Sequence, residues 1–359
     1  MDYRGRQKCL MEKLALHRVG NVLVTHPPNV RYLCGFTGTA GALLLGELGQ
    51  VFFTDGRYTQ QAKEQVEGAR VVISRSNPVW AAARLLQKRA RREVLGVEAE
   101  HMSLAARAGF ARAASRSTRL RPLSYLVERQ RMIKDAEEIR KIRAAVLLAS
   151  GLFDKIIQFV RPGVYETDVA AELEYAARKA GAQEMSFPTI VASGKRSALP
   201  HGRASRQRIP KRGFVVFDFG VILDGYCSDM TRTLYVGRPS EQARNMYSAV
   251  RQAQQAGLDA VAMGVSAGDV DGAARRVLRR AGWGRYFTHS TGHGVGLEIH
   301  EPPRLAAGER ELLSAGMVVT VEPGVYVHEE GGVRIEDMVV VGDRASEVLT
   351  PTSKELIAV

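Results

Sequence analysis

The feature that most constrains this chain is an apolar run carrying two carboxylates, FVVFDFGVILDGYCSDMTRT from Phe214 to Thr233. Its β-branched and aromatic residues favour strands, yet Asp218 and Asp229 interrupt it. A carboxylate buried in such a place is costly unless a cation meets it. Asp224-Gly225 supplies the two-residue turn of a hairpin. With that turn Asp218 faces Thr231, and Asp229 shares the parity of Thr231. Both aspartates then project from one face as diagonal neighbours, within reach of the same one or two cations.

A second ribbon, MVVTVEPGVYVHEEGGVRIEDMVVVG from Met317 to Gly342, repeats the pattern with Glu322 and Glu336. A three-residue turn centred on Glu330 would set both glutamates on one side, and a two-residue turn would separate them. Pro323 and Gly324 break regular pairing, so a bulge is expected there. Between the ribbons lies HSTGHGVGLEIHEPP, residues 289 to 303. Glycines at 292, 294 and 296 let the backbone around His293 approach a bulky centre. Their density opposes a helix, and His289, His293 and His300 do not form an HExxH zinc motif. Four carboxylates and a neutral imidazole make a hard, oxygen-rich donor set, suited to two divalent ions such as manganese, cobalt, iron or zinc. Two such ions can share a water, lower its pKa and clamp a carbonyl, so the expected chemistry is hydrolysis.

The chain has 359 residues, too many for one ordinary core, and its 45% hydrophobic content is that of a folded protein rather than a disordered one. A boundary is expected near residues 131 to 135, giving domains 1–131 and 132–359. The first alternates helices (7 to 18, after Asp55, 78 to 91, 103 to 114) with strands (21 to 25, 42 to 45, 50 to 54, 70 to 74, 93 to 97), an α/β layer pattern. No GxGxxG follows its first strand, which removes the signal for a dinucleotide site. The second opens on a long amphipathic helix with a capping box at Asp135 and Glu138. Helices from about 167 to 180, 240 to 264 and 269 to 281 then alternate with the ribbons, an α+β unit.

Three widely spaced cysteines, Cys9, Cys34 and Cys227, argue against disulfides and a zinc knuckle. No stretch has the length and apolarity of a membrane span or signal core, so a cytoplasmic protein is expected. The net charge of +13 is unevenly placed: residues 1–133 hold 22 Lys and Arg against 10 Asp and Glu, and the remainder 29 against 28. The clusters at 87 to 94 and 107 to 121 lack interleaved aromatics and a known binding module, so a solvated face is expected rather than a nucleic-acid surface.

In this order, PHGR, DFGVILDGYCSDMTRT, THSTGHGVGLEIHE, VEPGVY and GVRIED resemble the pita-bread metallopeptidases of the Xaa-Pro branch, prolidases and aminopeptidases P. NVRYLCGFTGTAGALLL and FFTDGRYTQQA resemble the creatinase-like N-terminal domain of that family. The resemblance implies an α+β fold, a pita-bread catalytic domain of antiparallel β-ribbons and helices preceded by an α/β creatinase-like domain. It implies two divalent ions, manganese foremost, on Asp218, Asp229, His293, Glu322 and Glu336, with Asp229 and Glu336 bridging. Asp218 would hold one ion; His293 and Glu322 would hold the other. His201, His289 and His300 would correspond to pocket histidines, Arg334 with Tyr326 to the group that organises the pocket, and Arg304 to an arginine that reads the carboxylate of a dipeptide. The implied activity is cleavage before proline in Xaa-Pro dipeptides. The alternatives are an Xaa-Pro aminopeptidase acting on longer peptides and an inactive binding protein of the same fold. Small proline-containing peptides as substrate and a homodimer complete the implied picture.

Overall fold

Short apolar strands separated by turn residues build the first unit around one mixed sheet. The computed structural model describes residues 1–87, 93–114 and 118–359, and divides the chain into two compact units, Met1–Arg131 and Met132–Val359. In the first, β1 (Asn21–Val24), β2 (Gly41–Gly46), β3 (Val51–Asp55), β4 (Arg70–Ser74), β5 (Glu93–Glu98) and β6 (Thr118–Leu123) lie in the order β4-β3-β2-β1-β5-β6. β2 pairs antiparallel with both β1 and β3, and the other three pairings are parallel. The helices are α1 (Tyr3–Leu16), α2 (Pro27–Cys34), α3 (Thr59–Gln65), α4 (Pro78–Gln87), α5 (Leu104–Ala113) and α6 (Glu128–Arg131). Leu23, Leu44, Phe53, Leu95 and Phe110 form its core.

Three of these elements, α2, β6 and the single-turn α6, were not expected. α2 starts on Pro27 and Pro28, which the first turn tolerates because its N–H groups have no helical partner, and ends at Gly35 with φ 82°. β6 is a mostly exposed edge strand in which Arg119, Arg121 and Pro122 discourage further pairing. The end of the helix expected over 78 to 91 and parts of both basic clusters lie outside the described residues.

The second unit opens on α7 (Ala136–Ile156), where the Asp135–Glu138 capping box is formed as expected. α8 (Glu166–Lys179), α9 (Glu241–Ala260) and α10 (Ala267–Arg280) are the other long helices. Strands β7 (Glu184–Met185), β8 (Ile190–Ser193), β9 (Gly213–Phe219), β10 (Val221–Leu223), β11 (Tyr226–Cys227) and β12 (Met230–Val236) form two antiparallel sheets, β12-β9-β8 and β11-β10-β7. Alternation sorts their side chains. Phe217, Phe219, Met230 and Leu234 pack with Phe153 of α7 and Leu173 of α8, which leaves Asp218, Thr231 and Thr233 for the opposite face. Asp224 and Gly225 both take positive φ, 48° and 77°, as the two-residue turn requires. Asp218 duly pairs with Thr231.

The remaining strands are β13 (Gly292–Gly294), β14 (Glu301–Leu305), β15 (Val318–Val321), β16 (Gly324–Val327), β17 (Gly331–Arg334), β18 (Asp337–Val340) and β19 (Glu347–Val348). They form a five-stranded sheet, β14-β13-β15-β18-β19, and the hairpin β16–β17. The register of this ribbon corrects the expectation. The turn has three residues but is centred on Glu329, since Val327 pairs with Gly331. No bulge offsets the strands either: Val321 pairs with Asp337 on one side of the break, Gly324 with Arg334 on the other, and two residues leave each strand symmetrically. Pro323 interrupts the ladder without slipping it, so Glu322 comes to stand across from Glu336.

Candidate metal centre

Each acidic residue reaches the centre because its neighbours in sequence go the other way. Val319 and Val321 belong to one core and Val325, Val333 and Ile335 to another, so Thr320, Glu322, Arg334 and Glu336 share the opposite side of the ribbon. Asp229, His293 and Glu336 each bring one ligand atom to within 4.8 Å of the others. Nε2 of His293 lies 3.6 Å from Asp229 Oδ2 and 3.5 Å from Glu322 Oε1. Asp218 accepts from Arg334 Nη2 at 2.6 Å.

The tautomer of His293 sharpens this picture. Its Nδ1 lies 3.0 Å from the carbonyl of Gly294, which can only accept, so Nδ1 carries the proton and the lone pair sits on Nε2. Burial pushes the imidazole down to about 4, so it is neutral at physiological pH. A neutral ring aims its lone pair at two carboxylates, an arrangement that needs a cation between them. A ring whose second nitrogen donates to a backbone carbonyl is the usual posture of a metal-binding histidine.

The carboxylates make the same demand. Asp218 Oδ1, Asp229 Oδ1 and Glu336 Oε1 are buried oxygens with no hydrogen-bond partner. Burial first, then the neighbouring carboxylates, pushes Asp229 and Glu336 well above the usual carboxylate range, and burial raises Glu322 to about 8. Without cations burial favours the protonated forms of Asp229, Glu322 and Glu336, and cations would take the place of those protons. The residues present therefore fit a divalent metal centre.

Around it runs a hydrogen-bonded frame. Arg334 Nη1 donates to Tyr326 Oη at 2.7 Å and to the carbonyl of Pro200 at 3.2 Å, and its Nε to Thr231 Oγ1 at 3.1 Å. Thr231 Oγ1 donates in turn to Glu336 Oε2 at 2.7 Å. His289 donates from Nδ1 to the carbonyl of Ser290, so its Nε2 accepts from the Tyr326 hydroxyl at 2.8 Å; burial keeps it neutral, at about 4. The His300 ring meets that of His293 edge-on at 4.4 Å, and its pKa is lowered by burial. His201 sits exposed at a loop tip, near enough to His289 and His300 to influence both electrostatically. Arg304 is exposed on β14 and pairs with His293 across the β13–β14 ladder. Thr231 was placed by its register but not as part of this frame, and Thr320 was not anticipated. Thr320 accepts from the backbone N–H of His293 at 3.1 Å. Both threonines are buried and share the strand parity of an acidic residue two positions away, the sequence signal that would have exposed them.

Buried carboxylates and a neutral imidazole, gathered on curved antiparallel ribbons and framed by an arginine, define a metal-dependent hydrolase. Residues 140–343 match metallopeptidase family M24, and residues 6–133 match the creatinase/prolidase N-terminal domain. The chain belongs to metallopeptidase family M24; it is a metallopeptidase that uses divalent metal ions. Among solved structures it resembles a Xaa-Pro dipeptidase from Bacillus anthracis, with a TM-score of 0.95 and 40% identity over 99% of this chain and 100% of that one. It also resembles an X-Pro aminopeptidase from Thermotoga maritima, with a TM-score of 0.89 and 33% identity over 98% and 99% of the two chains. A Xaa-Pro dipeptidase of Pyrococcus furiosus is 35% identical over 356 residues, covering 99% of this chain and all of that relative. Among the described residues no helix is long and apolar enough to cross a membrane.

Proposed function

We propose that this protein is a Xaa-Pro dipeptidase that cleaves the bond before proline, using two divalent ions held by Asp218, Asp229, His293, Glu322 and Glu336. Asp229 and Glu336 would be shared between the ions, Asp218 would serve one, and His293 with Glu322 would serve the other. Manganese is the first choice for so oxygen-rich a set. The observation that carries the reading is the neutral His293 aiming Nε2 at Asp229 and Glu322 beside three unpartnered carboxylate oxygens. Residues 132–359 form the catalytic domain and 1–131 the creatinase-like domain. A homodimer and a cytoplasmic location belong to the same reading.

Divalent ions at such a site supply an activated water and Lewis acidity toward the scissile carbonyl. The chain's own residues do the rest. His300 donates to the carbonyl oxygen as negative charge develops on it. Glu322 would accept the proton of the attacking water and deliver it to the proline nitrogen as that leaves, while remaining a ligand. Proline's tertiary nitrogen carries no hydrogen, so the pocket recognises it by shape, with His201 orienting the peptide and His289 fixing the Tyr326 hydroxyl. Arg304 binds the free carboxylate that follows proline in a dipeptide. Arg334 holds Asp218 and Tyr326 in place.

Glu336→Ala and His293→Ala are each expected to lose bound metal and at least about a hundredfold of Ala-Pro hydrolysis. Full metal content with full activity in either variant would refute the site. The likeness to an X-Pro aminopeptidase supports a second reading, removal of the first residue from longer peptides. Comparing Ala-Pro with Ala-Pro-Ala separates the two, with the dipeptide expected to be the better substrate.

A further inference from the structure

Glu166 lies far in sequence from every residue of the site described above, yet it is fully buried. It occupies the first position of α8, where a glutamate ordinarily faces solvent and the helix dipole. Here both oxygens are turned onto a different segment. Oε1 accepts from the backbone N–H and the hydroxyl of Ser193, at 2.7 and 2.8 Å. Oε2 accepts from the backbone N–H and the hydroxyl of Ser205, at 3.1 and 2.8 Å, and from the Arg196 guanidinium. Arg196 also donates to the carbonyl of Arg203 at 2.9 Å. One carboxylate thus ties together the two feet of the segment 193–205, whose tip is Pro200-His201-Gly202.

The tip is tied independently. Arg334 donates to the Pro200 carbonyl at 3.2 Å while its other branch holds Asp218, and Ser197 Oγ accepts from the backbone N–H of Gly332. His201 itself is exposed, so packing constrains its ring less than that of a buried residue. Its position then rests mainly on the backbone that carries it. Burying a carboxylate under five donors costs desolvation that a merely stable loop could avoid with apolar contacts, and such charges are kept where they fix one geometry.

We propose that Glu166 is a positioning residue for substrate binding: by closing the feet of the 193–205 loop it sets His201 over the metal centre. The inference rests on the proposed role of His201 as a substrate-orienting group. It assigns Glu166 no contact with substrate or metal.

The test compares Glu166→Gln, His201→Ala and the double variant on Ala-Pro, with bound metal measured for each. Glu166→Gln keeps the shape of the side chain but replaces one acceptor oxygen by a donor facing donors. It is expected to retain full metal content, to lower kcat/KM about tenfold, and to speed amide exchange across 194–205. Because it acts through His201, adding it to His201→Ala should lower kcat/KM no further. Wild-type kinetics in Glu166→Gln, with His201→Ala impaired, would overturn the inference alone. Multiplicative losses in the double variant would also overturn it, since Glu166 would then act elsewhere. Unimpaired His201→Ala would instead overturn the role given to His201, and the inference with it. Should Glu166→Gln fail to fold, Ser193→Ala/Ser205→Ala leaves the carboxylate and its arginine in place. That variant is expected to show the same non-additive pattern at about threefold, and wild-type kinetics in it would refute the clamp.

Discussion

At the scale of single residues, the centre trades stability for function. Glu322 rises from an ordinary 4.5 to about 8 because burial penalises its charge. In the metal-free chain the folded state therefore holds a proton that the unfolded state releases. The stability tied to this group is fully present below about 4.5 and is lost as pH rises through about 8. His293 runs the other way: with its folded pKa lowered to about 4, its contribution is present above 6.5 and lost as pH falls toward 4. Glu322→Gln removes the first penalty and leaves the second. Metal-free Glu322→Gln should melt on the order of 5 °C above metal-free wild type at pH 8 and equal it near pH 4.5. With metal the order should reverse, because wild type keeps the ligand. Thermal scans with and without chelator check this; a metal-free variant no more stable than wild type at pH 8 would show that Glu322 is not a strained acid.

At the scale of elements, what could be read from sequence depended on how few choices a turn leaves. Asp224-Gly225 admits one two-residue turn, so the pairing of Asp218 with Thr231 followed from sequence alone. His328 to Gly332 offers several turns, because Gly331 takes φ 110° and either neighbouring glutamate could sit at the apex. Parity was therefore open there, and alternation could not decide it. α2 was hidden by two prolines that read as a loop. The Glu166 clamp was hidden because its partners lie some thirty residues away. β13 was half legible: glycines announced a close approach, but not to what. A Cβ on Gly292 would sit 2.0 Å from the Thr320 carbonyl oxygen, and one on Gly294 2.3 Å from that of Pro302. The strand bearing His293 is squeezed between backbones that cannot yield cheaply. Gly294→Ala should weaken metal retention at least about tenfold and lower the melting temperature, by displacing His293. Gly151→Ala, at an exposed position of α7 with open space around it, should instead stabilise the chain by about 0.5–1 kcal/mol. Metal titration and denaturant melts on both variants would expose an error in either sign.

At the scale of the whole molecule, charge and chemistry fall in different units. The excess of positive charge belongs to the first 133 residues, while the remainder is nearly balanced and carries every proposed metal ligand. Each unit has its own core: Leu23, Phe53 and Phe110 in the first; Phe153, Phe217, Val250 and Val339 among those of the second. A ligand that binds only folded protein stabilises the unit that holds it, by about 2.7 kcal/mol at a hundredfold excess over its dissociation constant. Differential scanning calorimetry of the full chain should therefore resolve two transitions. Adding manganese to chelator-treated protein should raise the one belonging to Met132–Val359 by several degrees and leave the other within about a degree. Glu336→Ala should abolish that shift without moving the metal-independent transition. A shift of equal size in both transitions, or one that survives Glu336→Ala, would place the bound metal elsewhere than on these ribbons.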